Sequence, residues 1–143
     1  MRVRAKVLEF EASIAKDGRV SAEECPPLQL PREWTAEHLL LAALLRCSLT
    51  SLRYHTRRIG AELEGGGSAR GAITKREEDG RYAFVDVEAS LAVDLDPAPA
   101  DDELAELLAK AERDCFVGAS LTVTPRYSWK VNGRAVSARA APS

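Results

Sequence analysis

Cysteine and histidine are scarce in this sequence, which has three cysteines and two histidines among 143 residues. An odd and sparse set of cysteines differs from the dense, even set that staples small secreted domains. A reducing compartment fits better, and we expect a cytoplasmic protein. Because neither histidine has a cysteine at metal-ligand spacing, we expect no metal site and no cofactor, and a Cys–His hydrolase dyad is disfavoured.

The sequence also lacks an excess of either charge and any long apolar run. Twenty Lys and Arg residues stand against 22 Asp and Glu residues, so the net charge is -2. A chain with so small a net charge has no overall positive potential that would attract nucleic acid or an anionic membrane, and we expect neither partner. No run of 18 or more apolar residues occurs, and residues 1–6 do not lead into a signal-peptide core. We expect a soluble, unexported protein.

The hydrophobic pattern of the first half predicts a hairpin followed by a long helix. Alternation over residues 3–12 predicts one strand, residues 16–19 a turn, and the chain from Val20 onward the returning arm. Thr35 is a favourable N-cap, and no Gly or Pro follows until Gly60, so we expect a helix of about 24 residues. Its apolar first half predicts a buried centre, and its basic end predicts an exposed C-terminus.

The second half predicts a hairpin, a helix and a last strand. Residues 65–67, three glycines, are interpreted as a flexible turn, and residues 69–75 and 82–93 as the two strands of a hairpin. Leucines at helical spacing with acids in the first turn then predict an amphipathic helix. Alternation over residues 121–131 predicts a final strand. The order ββ-α-ββ-α-β indicates an α+β domain.

The predicted organisation is a single domain, residues 1–133, followed by a flexible C-terminal tail, residues 134–143. A chain of this length and 45% hydrophobic content can bury one ordinary core.

Cys47 lies near the middle of the predicted long helix, where the apolar half meets the arginine-bearing half. Burial alone would raise the pKa of its thiol and make it inert, whereas a nearby guanidinium would favour the reactive thiolate. A lone helical cysteine is more often a packing residue. The surroundings of a second cysteine, Cys115, change that balance.

Other candidate residues are interpreted as structural. Cys25, between Glu24 and Pro26, matches no motif and is taken as an incidental thiol. His55, with the arginines around it, is taken as a solvated helix end, since no interleaved aromatics or phosphate-cradling glycine loop accompany it. Phe116 is expected in the core or at the rim of an apolar pocket.

Two runs of the sequence resemble motifs of the OsmC/Ohr family. Residues 35–47, Thr-Ala-Glu-His-Leu-Leu-Leu-Ala-Ala-Leu-Leu-Arg-Cys, resemble the family's P-E-E-L-L-x-A-A-x-x-x-C helix. Within residues 111–121, the run Ala-Glu-x-x-Cys-x-Val-x-x-x-Leu resembles its second-cysteine motif. Both occur in the family's order, with a hairpin and a helix between them. The resemblance implies the OsmC-like fold, built as an intertwined homodimer with active sites at the subunit interface.

The resemblance also implies a cysteine-based peroxidase that reduces organic hydroperoxides. Cys47 would attack the peroxide and become a sulfenic acid, and Cys115 would attack that sulfur and leave a disulfide. An external dithiol, in better-known members a dihydrolipoyl group, would restore both thiols. One alternative keeps the fold and dimer without turnover, as a redox sensor or small-ligand-binding protein. A third interpretation, in which both cysteines only fill the core, requires the two motifs to coincide by accident.

Glu37 matches the family's active-site carboxylate, which is thought to hold an arginine that orients the peroxidatic thiolate. About ten residues of helix separate Glu37 from Cys47, which amounts to roughly 15 Å along the axis and roughly 80° in azimuth. Glu37 would therefore act on a Cys47 through an arginine or from a second subunit. The alternative is a first-turn acid that only complements the helix dipole.

The arginine itself has three candidate positions. One branch of the family carries it in the hairpin turn, where this sequence has Lys16 and, three positions on, Arg19. Another branch takes it from the loop before the long helix, where Arg32 is available. We favour Arg32 or Arg19 over Lys16, because a planar guanidinium can bridge a carboxylate and a thiolate together.

Overall fold

A computed structural model describes residues 5–138 of the chain. The chain separates into an N-terminal unit, Met1–Ala36, and a larger unit, Glu37–Ser143. The prediction of a single domain over residues 1–133 stays a prediction. No helix among the described residues is long and apolar enough to cross a membrane.

The N-terminal unit is built on a short hairpin. Strands β1 (Ala12–Ile14) and β2 (Val20–Ala22) pair antiparallel, and Gly18 in the turn between them has a φ of +90°. The predicted turn and returning arm are confirmed. The first strand was predicted too early: residues 5–11 lie outside any strand, and residues 3 and 4 lie outside the described part of the chain.

The long helix α1 spans Ala36–Arg57, which confirms the predicted element. Burial follows one face of it, at positions three or four residues apart: Leu44, Ser48, Ser51, Leu52 and Thr56. The predicted burial is therefore confirmed on this face, while Ala42 and Ala43 of the apolar first half are exposed. The basic end is exposed as predicted, with Arg57 and Arg58 in solvent.

A four-stranded sheet follows in the order β3-β4-β5-β6. β3 (Glu62–Lys75) and β4 (Tyr82–Asp96) form the predicted hairpin, and β5 (Arg126–Val131) runs parallel to β4. Residues 65–67 lie inside β3, so the predicted flexible turn there is wrong. A Cβ at Gly67 would lie 2.3 Å from the carbonyl oxygen of Ser90 on β4, and this close approach of the backbones accounts for glycine.

The C-terminal end of the sheet extends further than the sequence predicted. β6 (Arg134–Val136) pairs antiparallel with β5, so the predicted flexible tail is wrong at these residues; residues 139–143 lie outside the described part. Asn132 and Gly133, with φ of +49° and +82°, turn the chain back. The Asn132 side chain also accepts from the Leu95 N–H at 2.9 Å.

Two further helices cover this unit. α2 (Asp101–Arg113) is the predicted amphipathic helix, and its buried side chains pack with those of β4 and β5 in one apolar cluster. Each fully buried leucine stabilises the fold by about 1.5–3 kcal/mol. α3 (Phe116–Ser120) is a single turn that the sequence did not predict. Cys115 lies immediately before it as the N-cap residue, within a second apolar cluster that also contains Leu44.

Candidate functional site

The two cysteines singled out by the sequence, Cys47 and Cys115, come together in the larger unit. Cys47 is half-buried on α1, and Cys115, at the start of α3, has no exposed surface. Both are free thiols, and both line one cavity of about 540 Å³. The structure therefore pairs two thiols from distant parts of the sequence at one opening.

The sulfur of Cys47 is held by the first turn of α3. The backbone N–H of Val117 donates to Cys47 Sγ at 3.5 Å. Burial raises the pKa of the Cys47 thiol, the N–H groups of Val117 and Phe116 oppose that rise, and the neighbouring Cys115 thiol adds to it. None of these dominant influences is a guanidinium. Within residues 37–138, burial thus disfavours the thiolate of Cys47.

Cys115 lies in a buried polar cluster that it shares with Ser48 and Tyr127. Gly118 N–H donates to Cys115 Sγ at 3.4 Å, and Ser48 Oγ lies 3.6 Å from the same sulfur. Ser48 Oγ also lies 3.1 Å from the Tyr127 hydroxyl. Burial raises the pKa of Tyr127 well above its usual range, so the hydroxyl keeps its proton.

Apolar and aromatic groups make up most of the cavity wall around the thiols. Tyr54 and Phe116 line it while remaining 58% and 62% exposed, so Phe116 is a rim residue rather than a core residue. The full lining comprises Cys47, Thr50, Ser51, Tyr54, Arg113, Asp114, Cys115, Phe116 and Ala119. A small organic molecule could reach Cys47 through this opening.

His55 contacts Asp114 of the cavity wall, contrary to the prediction of a solvated side chain. Its Nε2 lies 2.8 Å from Asp114 Oδ2, and the His55 side chain is 11% exposed. Asp114 also accepts from Arg113 at 2.9 Å, and this contact, with a smaller one from His55, lowers the pKa of the Asp114 carboxyl. The residue just before Cys115 is thereby tied to the last turn of α1. Sequence reasoning missed this pair because its partners lie 59 positions apart.

Glu37 belongs to the larger unit, and the candidate arginines belong to the N-terminal unit. Glu37 is exposed in the first turn of α1. Arg19 sits in the β1–β2 turn with Asp17 at 3.6 Å, and Arg32 is exposed in the loop before α1. That Glu37 and one of these arginines orient Cys47 stays a prediction. Cys25 is exposed and donates to the Glu23 carbonyl at 3.2 Å.

Within residues 5–138, no group of three or more His, Cys, Asp or Glu side chains is arranged to hold a metal ion.

The fold and site define an α+β protein with one thiol near the middle of a long helix and a second thiol at the N-cap of a short helix. The sequence profile described as OsmC-like protein matches residues 30–130, and the chain belongs to this family. A comparison with curated proteins gave no significant match.

Solved structures share the fold at low identity. An OsmC-like protein of unknown function from Vibrio cholerae is 13% identical with a TM-score of 0.69, over 86% of this chain and 99% of that one. An organic hydroperoxide resistance protein from Elizabethkingia anophelis is 16% identical with a TM-score of 0.62, over 90% and 100%. The organic hydroperoxide resistance protein OhrB of Bacillus subtilis is 15% identical with a TM-score of 0.52, over 87% and 96%. These similarities establish the OsmC-like fold.

Proposed function

We propose that this protein is a thiol-dependent peroxidase that reduces organic hydroperoxides, with Cys47 as the attacking thiol and Cys115 as the resolving thiol. The observation that carries the proposal is the meeting of these two free thiols at one largely apolar cavity. Membership of the OsmC-like family supports a redox role, and the structural neighbours from E. anophelis and B. subtilis are organic hydroperoxide resistance proteins.

The first step oxidises Cys47. Its thiolate attacks the terminal oxygen of the hydroperoxide, an S–O bond forms, and the O–O bond breaks. The leaving alkoxide takes a proton and departs as the alcohol, while Cys47 becomes a sulfenic acid. The N–H groups of Val117 and Phe116, which already favour the ionised sulfur, stabilise the thiolate at the start of this step.

The second step joins the two sulfurs. Cys115 attacks the Cys47 sulfur, an S–S bond forms, and the S–O bond breaks. The hydroxide leaves with the proton of the Cys115 thiol as water. An external dithiol, such as a dihydrolipoyl group on a partner protein, then reduces the disulfide by thiol–disulfide exchange and is itself oxidised.

Activation of Cys47 requires a cation, because burial keeps its pKa raised within the larger unit. Arg32 or Arg19, held by Glu37, would supply it. In an intertwined homodimer this arginine could come from either subunit. The described residues of the N-terminal unit include no buried side chain, and Val7, Phe10 and Ile14 are 82%, 81% and 73% exposed. A second copy of the chain would cover such apolar surface.

The raised pKa of Cys47 also supports a second candidate function, a redox sensor or small-ligand-binding protein of the same fold. Such a protein would react slowly with peroxide, since little thiolate is present at neutral pH.

A peroxidase assay on the full chain separates the two functions. We expect consumption of tert-butyl or cumene hydroperoxide in the presence of dihydrolipoamide or dithiothreitol, and loss of this activity in Cys47→Ser. Cys25→Ser is the matched control, because its exposed thiol lies in the N-terminal unit, and it should keep full activity. No consumption by the unaltered chain with either reductant contradicts the peroxidase proposal.

A further inference from the structure

Ser48, the residue directly after Cys47, has no exposed surface, yet its hydroxyl oxygen meets three polar groups. It donates to the Leu44 carbonyl at 2.8 Å. The Tyr127 hydroxyl and the Cys115 sulfur lie 3.1 Å and 3.6 Å from the same oxygen. Ser48 therefore touches the resolving sulfur although it sits beside the attacking one.

The number of protons available in this cluster determines which group donates in each hydrogen bond. A serine hydroxyl has one proton to donate and two lone pairs that accept. Since the proton goes to the Leu44 carbonyl, both lone pairs are free to accept, one from the Tyr127 O–H and one from the Cys115 S–H. With all three bonds to Ser48 made together, the Cys115 thiol donates to Ser48, while the Gly118 N–H donates to the sulfur.

We propose that Ser48 is a catalytic residue for the attack of Cys115, accepting from its thiol at rest and turning its own hydroxyl onto the sulfur as the thiolate forms. Rotation about the C–O bond is all that this exchange needs, because Ser48 Oγ already lies within hydrogen-bond distance of the sulfur. The thiolate would then be held by two donors, Ser48 O–H and Gly118 N–H. Tyr127 is a positioning residue, since its O–H fixes the Ser48 oxygen and strengthens it as a donor.

This role explains how a thiol with no exposed surface can lose its proton. A hydrogen bond to an ionised group is stronger than one to a neutral group, so the bonds from Ser48 and Gly118 strengthen as Cys115 attacks. The cluster also reaches a second cavity, of about 460 Å³, which Tyr127 and Gly118 line. In the proposed peroxidase cycle the thiol proton ends on the hydroxide that leaves Cys47. The inference therefore rests on the proposed function for its place in the cycle, but the attack of Cys115 can be measured without peroxide.

The experiment uses Ellman's reagent on the full chain carrying Cys25→Ser. The reagent converts half-buried Cys47 into a mixed disulfide and releases one thionitrobenzoate. Cys115 then attacks the Cys47 sulfur, closes the disulfide and releases a second thionitrobenzoate, with its proton passing to solvent. The rate of this second release, followed at 412 nm against pH, reports the attack of Cys115 alone.

We expect Ser48→Ala to slow the second release roughly tenfold and to move its pH midpoint upward, since a donor to a charged group is lost. The first release should be unchanged. Tyr127→Phe should shift both quantities in the same direction by less, and it decides the question if Ser48→Ala does not fold. Thr56→Val is the matched control, because it removes another buried hydroxyl of α1 that bonds only to the Arg53 carbonyl among the contacts described.

An unchanged rate and pH midpoint in Ser48→Ala and Tyr127→Phe overturn the inference, as does an equal slowing in Thr56→Val. The proposed function fails separately: a rapid second release in the background protein, together with no hydroperoxide consumption, rejects the peroxidase and leaves the role of Ser48 standing.

Discussion

Val117 donates its backbone N–H to the sulfur of Cys47 at 3.5 Å, although the two residues are 70 positions apart in the chain. Val117 belongs to the short helix that Cys115 caps. The element that presents the second thiol therefore also holds the first one. A shift of this helix would change the geometry of both sulfurs together.

Removal of the resolving thiol should trap the oxidised form of Cys47. In Cys115→Ser, one equivalent of cumene hydroperoxide should leave a sulfenic acid that dimedone captures, and mass spectrometry of the Cys47 peptide should show the adduct. The same treatment of Cys25→Ser should give an internal disulfide and little adduct. Finding no dimedone adduct in Cys115→Ser contradicts the resolving role.

The pH dependence of Cys47 alkylation should show whether Arg32 or Arg19 activates the thiol. Because burial raises the pKa of Cys47 within the larger unit, a chain without the activating arginine should react with iodoacetamide only at alkaline pH. If Arg32 or Arg19 activates the thiol, Arg32→Met or Arg19→Met moves the midpoint of the rate upward from that of the unaltered chain. Lys6→Met, an exposed cation of the N-terminal unit that is not a candidate, serves as the control. Identical midpoints in all four proteins exclude both arginines.

Gly118 should not tolerate a side chain. A Cβ there would lie 3.3 Å from the Tyr127 hydroxyl, 3.5 Å from Cys115 Sγ and 3.6 Å from Leu44. We expect Gly118→Ala to lower the free energy of unfolding by about 1 kcal/mol, because the Tyr127 hydroxyl must shift by a few tenths of an ångström, whereas the other two contacts are ordinary. Urea unfolding measures it. Gly66→Ala is the matched control, since a Cβ at Gly66 meets no atom within 4 Å, and it should be near neutral.

The Asp114 carboxylate should stabilise the fold at neutral pH and lose that effect in acid. Arg113 and His55 lower its pKa, so its stabilising contribution is present above the pKa of the unfolded chain, near 4, and disappears as the pH falls through the lower folded value. Because the Asp114 side chain is 38% exposed, we expect Asp114→Asn to cost about 1 kcal/mol or less at pH 7. The difference from the unaltered chain should shrink at pH 3. Asp94→Asn, an exposed position on β4, is the control, and a cost that is equal at both pH values contradicts the assignment.

The oligomeric state tests whether a second copy of the chain covers the exposed apolar side chains of the N-terminal unit. We expect analytical ultracentrifugation to show a dimer, which Phe10→Asp with Ile14→Asp should weaken, since both side chains are more than 70% exposed in the single chain. A monomer at micromolar concentration for the unaltered chain argues against the intertwined dimer.

Much of the fold followed from local pattern, because period-two and helical spacing report which face of an element is buried. The two helices α1 and α2, the β3–β4 hairpin and the returning arm at Val20 were predicted in this way. The strand conformation of residues 65–67 was not predicted in this way. Glycine is typical both of turns and of places where two backbones approach closely, so the sequence does not distinguish the two. The Asn132–Gly133 pair did carry a recognisable hairpin signal, and it would have predicted β6.

Of the residues at the candidate site, the sequence predicted only the two cysteines that carry its sulfur atoms. Cys47 and Cys115 were found through two sequence motifs, but Ser48, Tyr127 and the His55–Asp114 pair depend on contacts across 59 to 79 positions. The sequence around Ser48 does not indicate whether its hydroxyl contacts the sulfur of Cys47 or that of Cys115. Such contacts follow from the packing of α1 on β5 and α3, which no single segment encodes.

The unequal accessibility of the two sulfurs gives the proposed cycle a direction. Once the disulfide has formed, an incoming thiol meets the half-exposed Cys47 sulfur, while Cys115 stays enclosed. In the proposed cycle the reductant would therefore become attached to Cys47 on α1, and the Cys115 thiolate would leave within hydrogen-bond distance of the Gly118 N–H. A bulky electron donor would need to insert only one sulfur into the opening. The shape of the rim at Tyr54 and Phe116 would then determine which donors fit.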